Sequence, residues 1–153
     1  MKITIDAIDR KILAAVQKNG RITLAELAEQ VGLSATPCKR RLARLEESGV
    51  IADYHARIDP VASGFGITVF VSVELERQHV DELTRFQQAV AGFNEVVTGV
   101  LMTGSQDFLL EVAVESLDEY ERFLQTRLLK LENIRAVRSR FALRKFIDRS
   151  RIP

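Results

Sequence analysis

Between Thr23 and Val50 the chain is punctuated in a way that few folds tolerate. Thr23 and Glu26 form a T-x-x-E capping box, in which each side chain can satisfy the other residue's orphan backbone N–H. Leu24, Leu27, Ala28 and Val31 then recur at helical spacing. Gly32 can take the left-handed backbone that turns the chain at once into a second helix. There Ser34 is placed to cap, Pro37 falls in the first turn where its missing donor costs nothing, and Gly49 is placed to close. A third helix precedes them. Ile5, Ile8, Ile12, Ala15 and Val16 repeat at helical spacing, with Asp6 as N-cap, Asn19-Gly20 as stop, and Asp9, Arg10, Lys11 and Lys18 mostly off the apolar side. Three short helices, the last two joined by a turn of about three or four residues, predict a helix-turn-helix.

The helix that starts at Ser34 has two unlike faces. At about 100° per residue, Ala35, Cys38, Leu42 and Leu45 share one arc, while Thr36, Lys39, Arg40, Ala43 and Arg44 lie opposite and Arg41 sits on the border. Lys39, Arg40, Arg41 and Arg44 meet no acid between Ser34 and Leu45, so no residue of the segment neutralises them. A polyanion is the natural partner. Cys38, on the apolar arc, reads as packing rather than a redox switch.

The chain-wide net charge of +1 says nothing for or against nucleic acid, but the basic excess is confined to residues 1 to 60. One cysteine excludes an internal disulfide, and two histidines, His55 and His79, make a protein metal site improbable. No apolar run resembles a signal peptide or a membrane span, so the expected compartment is the cytoplasm.

Beyond Gly49, VIADYHARI predicts one extended strand, a wing or a strand crossing to another subunit. Asp59-Pro60 and VASGFG then supply the small residues of a hinge. The expected domains are therefore 1–52 (helix-turn-helix), 53–66 (strand and hinge linker) and 67–153 (ligand binding and oligomerisation). In the last, Ile67, Val69, Val71, Val73 and Leu75 alternate with polar residues as a half-buried strand. A helix follows over His79–Ala91 through Val80, Leu83, Phe86 and Val90. Two strands, Val96–Met102 and Phe108–Val114, are joined by the turn Thr103–Asp107. A second helix is read over Asp118–Leu131 and a long final strand over Ile134–Ile147. Strand-helix-strand twice over is the split βαβ of an α+β, ferredoxin-like βαββαβ domain. Its two helices would cover one sheet face, and the apolar members of the other predict a homodimer.

DAIDRKILAAVQKNGRITLAELAEQVGLSATPCKRRLARLEESGVI in the first half and VVTGVLMTGSQDFLLEV in the second resemble, in order, the Lrp/AsnC (leucine-responsive and asparagine regulator, or feast/famine) family of transcription factors. The resemblance implies a (winged) helix-turn-helix regulator of double-stranded DNA. Its C-terminal domains would assemble as dimers, tetramers or octamers and bind a small effector, usually an amino acid, with no cofactor. In that setting Thr36, Lys39 and Arg40, early and outward, are candidates for base edges. Arg41 and Arg44 are candidate phosphate clamps, and Ser34 could both cap and touch a phosphate. Two such helices in a dimer imply a pseudo-palindromic site.

Taken alone, the Gly104–Asp107 turn fits plain hairpin chemistry as well as it fits a site. In the second reading its N–H groups receive a carboxylate and Asp107 pairs with an α-ammonium. The resemblance favours an effector site, with Gly99, Met102, Thr103, Gly104, Gln106 and Asp107 as its members. Many relatives carry an aromatic residue at the position of Gln106, so a leucine-like ligand does not follow. Arg135, Arg138, Arg140, Arg144, Lys145, Arg149 and Arg151 make the C-terminus basic. Arg138, Arg140 and Arg144 would share a strand face, as a solvated edge or as a carboxylate contact between subunits. An enzyme is the rival class, but no nucleophile, base and orienter constellation is present and no metal set.

Overall fold

The computed structural model describes residues 4–147. It contains two compact units, a helical one ending at Arg57 and a sheet-containing one over Ile58–Phe146.

The helical unit holds α1 (Ala7–Lys18), α2 (Leu24–Val31) and α3 (Ala35–Glu47). The expected capping box of Thr23 with Glu26 forms on α2, and Asp6, expected only as the N-cap of α1, forms a second box with Asp9. Gly32 adopts φ +73° at the end of α2, where its N–H bonds back to the helix and a side chain would be strained. Gly49 likewise takes φ +75° after α3. Ile12, Val16, Leu27, Ala28, Val31, Cys38 and Leu45 fill the core between the three helices. Ala35, expected on the inner arc, is exposed, because its position precedes the point where α3 meets its neighbours.

Residues 50–58, expected to form a strand, enter no ladder. They run mostly exposed, and Tyr54 ties them back: its hydroxyl donates to Glu46 Oε1 at 2.8 Å and its ring lies against Gly20. A Cβ at Gly20 would stand 3.4 Å from that ring, a snug fit. Burial, then the Glu46 carboxylate, pushes the Tyr54 hydroxyl up to about 12.

The second unit is a four-stranded antiparallel sheet in the order β2-β3-β1-β4, built from β1 (Ile67–Leu75), β2 (Val96–Leu101), β3 (Phe108–Val114) and β4 (Ile134–Phe141). Helices α4 (Val80–Ala91) and α5 (Leu117–Thr126) connect them in the βαββαβ order. Val69, Val71 and Val73 of β1 and Phe108, Leu110 and Val112 of β3 face the helices and pack with Phe86, Tyr120, Phe123 and Leu128. Phe86 and Phe108 stack with centroids 4.5 Å apart, a contact worth about 1 kcal/mol beyond its buried area.

Three expectations are corrected here. α5 stops at Thr126, where Arg127 leaves helical geometry and a single 3-10 turn carries Leu128 into the core. β4 ends at Phe141, so Leu143 projects fully into solvent and Arg144 does not continue the strand. Val80 is exposed rather than inward, being the first residue of α4. Arg149 and Arg151 lie outside the described residues.

Opposite the helices the sheet is mixed rather than simply apolar. Phe70 and Leu109 share it with charged groups satisfied within the chain: Arg140 donates to Ser72 Oγ at 3.0 Å, and Arg135 and Arg138 lie 3.2 and 3.7 Å from the Glu74 carboxylate. Lys145 reaches Glu111 at 2.8 Å.

Candidate functional site

On α3 the structure divides the basic residues into two pairs. Thr36, Lys39 and Arg40 are exposed and point away from the core, and among the described residues neither Lys39 nor Arg40 enters an ion pair. Ser34 has the extended backbone of an N-cap and its carbonyl opens the helix, accepting from Cys38 N–H at 3.2 Å. Its hydroxyl makes no capping bond, contrary to the sequence expectation, and stands exposed beside the helix start.

Arg41 and Arg44 are different. Arg41 donates to Asp6 at 2.7 Å and to Asp9 at 2.9 Å, and Arg44 to the other oxygen of Asp9 at 2.5 Å. The unopposed charge expected from the α3 segment is thus halved by acids that come from α1. Donation from the Asp9 backbone N–H, then from Arg41, holds the Asp6 carboxyl down at about 2. Those carboxylates in turn raise the Arg41 pKa.

Asp9 escaped the reading of the sequence, although a signal was there. Ile5, Asp9, Ile12 and Val16 follow helical spacing, so Asp9 belongs to the inward stripe rather than to the polar side where it was placed. It is fully buried. Cys38 is fully buried too, and desolvation raises its thiol pKa, which fits packing and not redox chemistry.

In the sheet unit the Thr103–Asp107 turn projects from the β2–β3 hairpin. Met102, Thr103 and Gly104 are exposed, and Gly104 takes φ +111°, a conformation that strains any side chain. Asp107 is not the open anion expected of an ammonium partner. It is 8 % exposed, and its Oδ2 accepts from Leu75 N–H at 2.7 Å while its own N–H donates to Val73 O at 3.0 Å. The side chain therefore extends the β3 ladder onto the end of β1. Gln106 is half-buried beside it.

Gly99 stands apart from the other five. It lines an apolar cleft of about 310 Å³ between α4 and β2, with Phe86, Gln87, Val90, Leu101 and Phe108. Leu101 and Phe108 flank the turn, so cleft and turn are neighbours. No group of histidine, cysteine and acidic residues able to hold a metal occurs among the described residues. No described helix is long and apolar enough to cross a membrane.

Comparison with known proteins matches both units. Residues 5–52 fit a winged helix-turn-helix DNA-binding model and residues 68–152 the Lrp/AsnC ligand binding domain. The Bkd operon transcriptional regulator of Pseudomonas aeruginosa is 40% identical over 149 residues, 97% of each chain. An AsnC family transcriptional regulator from Agrobacterium tumefaciens superposes with TM-score 0.92 at 40% identity, covering 97% of this chain and 96% of that one. A transcriptional regulator from Neisseria meningitidis, solved as a complex with L-Met, superposes with TM-score 0.93 at 33% identity over 98% and 97%.

Proposed function

The chain belongs to the Lrp/AsnC family of transcriptional regulators, and from that premise we propose that it reads a pseudo-palindromic DNA site through α3 and adjusts that binding to an amino acid held by its sheet domain. The observation that carries the reading is the outward stripe of Thr36, Lys39 and Arg40 on the second helix of the helix-turn-helix. That helix would lie in the major groove, with these side chains on base edges and Ser34 and Arg44 on flanking phosphates. Arg41, less exposed and held by two carboxylates, contributes mainly to holding α3.

For the effector, the exposed backbone at Gly104 would receive the α-carboxylate, and Asp107 retains Oδ1 for the ammonium while Oδ2 stays on Leu75. Met102, Thr103 and Gln106 border that position, and the cleft at Gly99 takes the side chain. Its lining is mainly apolar, with Gln87 as the polar member. Two copies would pack through the open sheet face carrying Phe70 and Leu109, with further assembly to tetramers or octamers bringing a second chain toward the turn. We place the protein in the cytoplasm, where DNA and free amino acids are both available, and assign it no cofactor.

A gel-shift with the DNA upstream of the protein's own gene, repeated with each common amino acid, tests both halves. The reading expects retention of that fragment over a scrambled one and a change in retention with at least one amino acid. Equal retention of both fragments would remove the DNA assignment, and indifference to every amino acid the effector assignment.

A further inference from the structure

The α1–α3 charge cluster contains two carboxylates and two guanidiniums, Asp6, Asp9, Arg41 and Arg44, and sums to zero. At its centre Asp9 is wholly buried, and both of its carboxylate oxygens are satisfied. Oδ1 accepts from Arg41, and Oδ2 accepts from Arg44 and from the Asp6 backbone N–H at 3.1 Å. The Arg44 side chain, by contrast, is 46% exposed. Its Nη2 is bonded to a buried carboxylate while nearly half of the side chain stays accessible to solvent. Arg44 also follows Arg40 by four residues and Thr36 by eight, so it prolongs the same stripe of α3 by one turn.

Stability alone explains this arrangement poorly, since apolar side chains of similar volume would serve a three-helix core at least as well as a buried ion pair. A guanidinium is long and rotamer-rich, and ordering it on a ligand costs affinity unless it is already held. We propose that Asp9 is a positioning residue for DNA recognition: by gripping the inner edge of Arg44 it presents the outer edge to a backbone phosphate, and so fixes the register in which Thr36, Lys39 and Arg40 meet the bases. This rests on the reading of α3 as the DNA-reading helix. Because the Asp9 carboxylate is fully buried, a DNA phosphate cannot take its place, and the pair persists in the complex.

Electrostatics and positioning predict opposite signs, which makes the inference testable. Neutralising Asp9 leaves the cluster one charge more positive, and by counterion release that alone would tighten binding to any duplex. Positioning predicts that specific binding weakens even so. The full-length protein would first select a duplex from a random pool. Affinities for that duplex and for a scrambled one of equal composition would then be measured by fluorescence anisotropy for the wild type, Asp9→Asn and Arg44→Lys, with thermal melting alongside.

We expect the ratio of selected to scrambled affinity to fall at least tenfold in Asp9→Asn, with scrambled binding equal or tighter. Arg44→Lys, which keeps the charge on a half-exposed side chain but loses the fork, should show the same fall with scrambled binding unchanged. It carries the test by itself if Asp9→Asn does not fold. An unchanged ratio in either folded variant, or a parallel gain for both duplexes in Asp9→Asn, would overturn the proposal while leaving the DNA reading intact. A wild-type protein that enriched no duplex would overturn both.

Discussion

Asp9 and Asp107 are buried carboxylates, one in each unit, and they are satisfied in opposite ways. Asp9 is neutralised by two arginines that reach it from another helix, whereas Asp107 accepts a backbone N–H from a neighbouring strand. A side-chain cluster couples its acid to charge, and through charge to any polyanion near it. A backbone bond couples the acid to shape alone and holds the hairpin turn against β1. The two units therefore fix their candidate sites by different means: an ionic grip where the ligand is highly charged, and a ladder extension where a small molecule would be cradled.

Removing the partner of a buried ion pair is the more damaging change, so Asp9→Ala should have the largest effect. Arg41 and Arg44 are part-exposed and recover some hydration, which places the cost near about 3 kcal/mol, the low end for such pairs. Amide hydrogen exchange should show faster opening of α1 and α3 and an unaltered sheet. Equal acceleration in both units would break the distinction.

Asp107→Ala strands the Leu75 N–H and should cost about 2 kcal/mol, read as loss of protection at Leu75 and a lower melting temperature. Asp107→Asn keeps a carbonyl oxygen for that bond and should restore most of the protection. If its ammonium role also holds, calorimetry with the effector will show weaker binding in both variants. Unchanged affinity in Asp107→Ala would leave Asp107 with the ladder alone.

On α3, Arg40→Ala should relax sequence preference by about 1–3 kcal/mol at one position. Arg44→Ala should in addition flatten the salt dependence, by about 0.9 in log–log slope for one lost phosphate contact. Anisotropy at several salt concentrations separates them, and identical behaviour would erase the division of α3 into base and phosphate contacts.

The smallest effect concerns pH. The Asp6 carboxyl lies near 2 in the folded chain against an ordinary 3.8. The unfolded chain thus takes up its proton first as pH falls. The stabilisation is complete above about pH 4 and is lost between there and pH 2. Asp6→Asn should remove that part of the wild-type acid sensitivity, as followed by thermal melts across the window.

Much of this was legible in the residues. Capping boxes, turn glycines and the two periodicities are local, and they place α1, α2, α3 and the βαββαβ order with β3 bounded as expected. What escaped depends on contacts distant along the chain. Nothing within four residues of Arg44 reveals that Asp9 meets it, so its charge read as free. Asp107 looked like an open anion because Leu75, which engages it, stands in another strand. VIADYHARI has the composition of a strand, but a strand needs a partner, and in this unit Tyr54 anchors the segment by a ring and a hydroxyl instead. The final strand was read too long because alternation continues past Phe141 after the neighbour it pairs with has run out: Phe141 already faces Val69 near the start of β1.

The strand order also sets a timetable. β1 occupies an interior place in the sheet, yet its outer neighbour β4 is the last of the described elements to be made, and Phe70 pairs with Arg140. At roughly 5–20 residues per second of synthesis, β1 waits several seconds with that edge open, while α1, α2 and α3 have already closed on one another. The nascent chain thus closes its helix-turn-helix before it can complete the sheet. During that interval the unpaired edge of β1 is where a chaperone, or a neighbouring nascent copy, would find it.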